Sequence, residues 1–238
     1  MKIPQIMTTI AERLQAVQAC IHAAEAAAGR QSGAVSLLAV SKAHSAAAVR
    51  DAFLAGQKLF GENYLQEALD KQTELADLAI EWHFIGPIQS NKTQAIAQHF
   101  AWVHGVDRLK IAERLNAARP VHMPPLQICI QVNISNEASK SGVLPAELNA
   151  LAEAIAKLPH LQLRGLMAIP APTPEIEMQH KQFRMVRELY ETLRGQGFAL
   201  DTLSMGMSED FPAAIAEGAT IVRVGSAIFG ARPSASIT

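Results

Sequence analysis

Apolar residues along this chain follow two alternating rhythms. Between positions 5 and 28, Ile6, Ile10, Leu14, Val17 and Ile21 recur at the three- and four-residue spacing that gathers side chains on one helical face, and Gly29 supplies a stop. The next apolar stretch, 35–40, is nearly continuous and short, as expected of a strand covered on both faces. Ser45 then suits the N-cap of a helix ending near Gly56, which completes one strand–helix unit.

The unit repeats. Strands are predicted at 58–60, 82–85 and 102–106, each followed by a helical pattern, at 64–76, 91–100 and 108–118. A fifth strand is predicted over 126–134, with Pro145 placed for the first turn of its helix, and a sixth over 161–169, before a long helix over 175–194. Segments 202–205 and 221–224 bring the strands to eight. Eight short strands separated mainly by helices, with no linker or composition break, predict an α/β fold: one TIM-type (β/α)8 barrel over about 35–232, preceded by a leading N-terminal helix over about 1–30. An open doubly wound sheet is the alternative. The expectation is a single domain over 1–238.

Composition narrows the partners. Hydrophobic residues make up 49% of the chain and charged residues 18%, enough for a sizeable core. Lys and Arg number 21 against 22 Asp and Glu, with no run of either sign, which argues against nucleic acid or an anionic membrane surface as partner. The N-terminus lacks a signal-peptide pattern and no apolar run is long enough to span a bilayer. Cys20 and Cys129 lie far apart, as expected of free thiols in a reducing cytoplasm.

In this fold the chemistry sits at the C-terminal ends of the strands. Lys42 is at such an end among uncharged neighbours, where lost hydration lowers an amine's pKa and favours the neutral nucleophile; a side chain snorkelling to solvent is the plainer reading. The loops after strands seven and eight, a common phosphate site, read Gly206-Met207-Ser208 and Gly225-Ser226-Ala227, supplying hydroxyls and close backbone approach. Arg223 lies between Val222 and Val224, a costly place for a guanidinium unless it meets a partner at the barrel mouth or forms a structural ion pair. Asn63 follows the second strand, where it serves equally as a polar pocket group or a plain helix start; His83 in its apolar strand is a hydrogen-bonded core residue or a ligand contact. The histidines show no paired-ligand spacing, so no metal is expected, and neither a Walker loop nor a GxSxG elbow is present.

Together, Ala39 to Lys42, Phe60 to Tyr64, Trp82 to Lys92, Asn133 to Gly142, Arg164 to Met167, Gly206 to Ser208 and Arg223 to Gly225 resemble the pyridoxal phosphate homeostasis protein family, whose members look like the barrel of alanine racemase without its second domain. The resemblance spans nearly the full length. It implies a bound pyridoxal 5′-phosphate (PLP), linked as a Schiff base to Lys42, its phosphate held by Ser208, Gly225 and Ser226, its pyridine nitrogen approached by Arg223, and its pocket lined by Asn63 and Met167. Lys140 matches a second family lysine that engages PLP transiently, and His83 is a further candidate contact. Many relatives carry a lysine two residues after the Schiff-base lysine, whereas this chain has His44.

The implied role is intracellular PLP homeostasis without an established reaction, in the cytoplasm, with apo PLP-dependent enzymes as conceivable recipients and a monomer or weak dimer as the assembly. Two rivals stay open. A racemase would need an acid/base on each cofactor face, for which only Tyr64 and Tyr190 are available as tyrosines, and 232–238 is expected to leave no room for a second domain. A Schiff-base aldolase would use Lys42 without cofactor.

Overall fold

The computed structural model describes residues 9–135 and 141–231. Helix α1 (Ile10–Ala27) starts at Thr9, whose hydroxyl accepts the Glu12 N–H while the Glu12 carboxylate accepts the Thr9 N–H, so two first-turn donors are satisfied reciprocally. Leu14, Val17 and Ile21 of the predicted face are buried, and Glu25 is buried with them. The chain then alternates: β1 (Ser36–Val40), α2 (Ala46–Leu54), β2 (Leu59–Glu62), α3 (Leu65–Glu74), β3 (Glu81–Phe84), α4 (Thr93–His99), β4 (Trp102–Val106), α5 (Leu109–Ala118), β5 (Leu126–Gln131), α6 (Leu148–Ile155), β6 (Leu161–Met167), α7 (Ile176–Gly195), β7 (Thr202–Ser204), α8 (Phe211–Ala216), β8 (Ile221–Val224) and α9 (Ser226–Phe229).

The eight strands pair in sequence order, all parallel, and β8 returns to β1 with Leu38 beside Arg223, closing the barrel. The (β/α)8 expectation is met. The fifth and sixth strands end at Gln131 and Met167, earlier than predicted, and beyond β5 Val132 pairs with Val143 in an isolated bridge. Helices α8 and α9 were not anticipated. Six and four residues long, they are too short to display a helical period, and Pro212 in the first turn of α8 reads as a breaker until the turn is seen.

Two cores follow from strand geometry, in which alternate residues face opposite sides. Outward-facing residues such as Phe60, Val103, Ile128 and Val222 meet the helices, where Phe100, Leu115 and Phe183 are fully covered. Burying each such side chain contributes about 1.5–3 kcal/mol. Inside the barrel, Leu38, Val40, Ile85 and Ile221 form one apolar group and Trp102, Cys129 and Met167 another. Between these groups the lumen is polar: His83, His104, Ser204 and Arg223 are all buried. Gly61 makes room for this filling, since a Cβ there would press at 3.2 Å on the side chains of Leu38 and Ile85.

Candidate functional site

At the C-terminal mouth of the barrel a cavity of about 380 Å³ opens. Its apolar wall is Val40, Ile85 and Ile169, one layer above Leu38, His83 and Met167 on the same strand faces. Lys42, Asn63, Ser208, Arg223, Gly225 and Ser226 all line it, so six candidates scattered over the sequence are brought together. His83 and Met167 do not line it; they lie in the lumen below, Met167 packed with Trp102 and Cys129. Lys140 falls outside the described residues.

The backbone around Lys42 is tied down by ions from α3 and β2. Lys71 Nζ, buried, donates to the Ser41 carbonyl at 2.7 Å, to Glu62 Oε1 at 2.7 Å and to Glu67 Oε1 at 2.5 Å. Ser41 Oγ donates to Glu62 Oε1 at 2.6 Å, and Glu67 Oε1 accepts the Ala43 N–H at 2.6 Å. Ala43 sits at φ 62°, a left-handed conformation that a residue with a Cβ adopts only when its surroundings impose it. The turn just after β1 is thus set by charged hydrogen bonds on both sides of Lys42. Burial pushes the Glu62 carboxyl above its usual value, with Lys71 and Ser41 pulling it back only in part.

Arg223 reaches the cavity from the end of β8, and its lower edge is occupied. Nη1 donates to the Ser204 carbonyl at 2.5 Å and to Ser204 Oγ at 2.9 Å, while Nη2 donates to the Ala168 carbonyl at 2.9 Å. Burial lowers its pKa to about 10, so the group is cationic at neutral pH. Asp210, also on the cavity wall, opposes that shift; its own carboxyl is raised by burial, against the pull of the Met207 N–H and of Arg223.

The two loops after β7 and β8 approach the cavity closely because glycine permits it. Gly206 has φ +93°, and a Cβ there would lie 2.6 Å from the Ala214 Cβ. The turn it starts is closed by the Met207 N–H donating to Asp210 Oδ1 at 2.6 Å, which leaves Ser208 at the cavity wall. A Cβ on Gly225 would stand 3.0 Å from the Val40 carbonyl oxygen. Beyond it α9 begins: the Ile228 and Phe229 N–H groups donate to the Gly225 carbonyl at 2.9 Å, and the N–H groups of Ser226 and Ala227 precede the first such bond. His44 also lines the cavity, its ring stacked on Phe229 with centroids 5.1 Å apart.

A lysine amine, a fixed cation, hydroxyls beside the Ser226 and Ala227 N–H groups, and apolar walls suit a flat aromatic ligand carrying a carbonyl and a phosphate. The carboxamide oxygen of Asn63, buried at the cavity edge without a hydrogen-bond partner among the described residues, adds an orphaned acceptor that such a ligand would satisfy. No cluster of three or more metal-ligating side chains exists among the described residues, and none of their helices is long and apolar enough to cross a membrane. Reading the strand ends missed Val40, Ile85 and Ile169 as wall residues, together with Asp210. The signal for Ile85 was its place two residues after His83, on the same strand face.

Residues 13–233 match the family of the alanine racemase N-terminal domain. The pyridoxal phosphate homeostasis protein of Pseudomonas aeruginosa is 63% identical over 226 residues, which cover 95% of this chain and 97% of that one. That of Escherichia coli (strain K12) is 52% identical over 229 residues, covering 95% and 98%. Among solved structures, PipY of Synechococcus elongatus PCC7942 with PLP bound superimposes with a TM-score of 0.83 at 40% identity, over 93% of this chain and all of PipY.

Proposed function

The chain belongs to the alanine racemase N-terminal domain family and, within it, to the pyridoxal phosphate homeostasis proteins, and from that premise we propose that it binds PLP at the cavity and serves intracellular PLP homeostasis. The observation that carries this reading is that Lys42, Arg223 and the Gly225–Ser226 turn line one cavity, with the orphaned Asn63 oxygen at its edge.

When bound, PLP supplies an aldehyde that an amine can take up covalently and a ring that withdraws electrons. Lys42 Nζ is the amine, delivered into the cavity by the clamped turn Ser41–Ala43. Ser208, Ser226 and the backbone N–H groups of Ser226 and Ala227 would hold the phosphate, while Val40, Ile85 and Ile169 would exclude water from the ring. Arg223, cationic at neutral pH, would meet the pyridine nitrogen and keep it unprotonated, which would weaken electron withdrawal by the ring.

We read the site as a holder of the cofactor, because among the described residues no tyrosine lines it. Tyr190 is committed, its hydroxyl donating to the Leu200 carbonyl at 2.9 Å, and Tyr64 is exposed at the start of α3; neither lines the cavity. The two free thiols fit a reducing cytoplasm, where we place the protein as a monomer or weak dimer that can pass PLP to apo PLP-dependent enzymes. Titrating the purified chain with PLP tests the reading. Saturable uptake with new visible absorbance and no racemisation of amino acids by chiral chromatography is expected; failure of uptake, or robust turnover, overturns it.

A further inference from the structure

A chain of side-chain hydrogen bonds runs through the lumen from the N-terminal mouth of the barrel to the cavity at the other end. Glu81 Oε1, on a half-exposed side chain at the start of β3, lies 3.0 Å from His83 Nε2. His83 Nδ1 lies 2.9 Å from His104 Nε2, and His104 Nδ1 lies 2.8 Å from Ser204 Oγ. Ser204 Oγ in turn accepts from Arg223 Nη1 at 2.9 Å. From His83 to Arg223 every member is buried, none more than 5% exposed.

Only one placement of protons satisfies every link with an ionised Glu81. The carboxylate accepts, so His83 carries its proton on Nε2 and offers a bare Nδ1. His104 must then donate from Nε2 and accept at Nδ1 from the Ser204 hydroxyl. That hydroxyl points its proton away from Arg223 and turns its lone pairs toward the guanidinium. With the opposite polarity His104 would donate to Ser204, whose own proton would be crowded toward Arg223, and a bare His83 Nε2 would face the carboxylate.

We propose that Glu81, His83, His104 and Ser204 are positioning residues for Arg223: the carboxylate at one mouth sets the polarity of the chain, and that polarity holds the guanidinium in the pose it presents to PLP at the other. This rests on the reading of Arg223 as a PLP contact. Burial holds both imidazoles below their ordinary pKa, as neutral rings with one proton each. Two other charged groups act on the ends of the chain: Arg164 favours the Glu81 carboxylate and Asp210 favours the Arg223 cation. Arg164 pairs with Asp201 at 2.5 Å and covers the Trp102 ring that stacks on His83, and Asp210 caps the Met207 turn.

The test compares the native chain with Glu81→Gln, whose side chain is half exposed at the mouth opposite the cavity and whose amide can donate as well as accept. Nitrogen-15 correlation spectra of the cofactor-free protein report imidazole tautomers directly. We expect both His83 and His104 protonated at Nε2 in the native chain and mixed tautomers in Glu81→Gln. With an unchanged thermal midpoint, the variant should bind PLP roughly three- to tenfold more weakly, the scale of one neutral hydrogen bond. Ser204→Ala, which removes the last link, should weaken PLP similarly, and Glu81→Asp, which restores a carboxylate, should recover the native tautomers.

Native histidines protonated at Nδ1, or a Glu81→Gln protein with native tautomers and native PLP affinity, would overturn the proposal. Native protein that takes up no PLP would overturn the functional reading instead, and the tautomers, read without cofactor, would still decide the polarity of the chain.

Discussion

Glu67 Oε1 accepts the backbone N–H of Ala43 at 2.6 Å and so holds the residue after Lys42 in its left-handed conformation. The same oxygen meets Lys71 Nζ, which also binds the carbonyl of Ser41, the residue before Lys42. One buried ammonium on α3 therefore ties both flanks of the candidate cofactor lysine.

Lys71→Met should show this dependence first in stability. Removing the ammonium leaves Glu62 buried with only Ser41 as donor, a loss on the order of 3–5 kcal/mol in urea denaturation. Glu67→Ala removes the Ala43 acceptor and one of the two carboxylates that Lys71 meets, and should cost about 1–3 kcal/mol while weakening PLP uptake. A Lys71→Met protein as stable as the parent would show that the cluster does not hold the turn.

Arg223→Gln should lower PLP affinity and shift the visible spectrum of the bound cofactor. It should also destabilise the fold by about 1–3 kcal/mol, because the Ala168 carbonyl loses its guanidinium donor and the Ser204 carbonyl keeps only the Ala168 N–H. Identical affinity and spectrum would remove Arg223 from the ring.

Much of this site could be read from residue order because a barrel converts position along a strand into height. Lys42 and Gly225 stand just past apolar runs, and Arg223 interrupts one, so each announces a strand end. Height within the lumen was harder to read. Met167 and Ile169 share a face, as do His83 and Ile85, and in each pair the upper member reaches the cavity. The pairing register also shifts between Ile128 and Cys129, so counting by twos does not carry across β5 and β6. Contacts between strands were not legible at all: His83 meets His104 across 21 residues and His104 meets Ser204 across 100, through closure of the sheet. Helix α8, six residues opened by Phe211-Pro212, is set by the Gly206 turn packing on Ala214.

Stability should fall in acid through Glu25, which joins α1 to the barrel. Its carboxylate is fully buried and accepts the N–H groups of Val35 at 2.8 Å and Gly33 at 3.1 Å, with His22 Nδ1 at 3.0 Å. Burial pushes its pKa up, but His22 and the two N–H groups outweigh this, and the net value lies below the ordinary 4.5. A depressed carboxyl contributes stability that is present above its unfolded-state pKa and is lost as the pH drops through the folded-state value. Glu25→Gln should therefore cost about 1.5–3 kcal/mol at neutral pH, with the gap closing in acid. Denaturation curves at both pH values check this, and a gap that widens in acid would contradict it.

The two thiols should differ sharply in reactivity. Cys20 is exposed on α1, whereas Cys129 lies in the lumen with its thiol pushed up to about 12 by burial. A thiol reagent should modify one group in the native protein and the second only on unfolding. Rapid reaction of both would mean that the lumen is open.

The most direct test is borohydride reduction of the PLP-loaded chain followed by peptide mapping. The account predicts a pyridoxyl group on Lys42, and Lys42→Ala should retain the fold but lose both label and visible absorbance. Label on another lysine in the native chain, or undiminished label in Lys42→Ala, would contradict it.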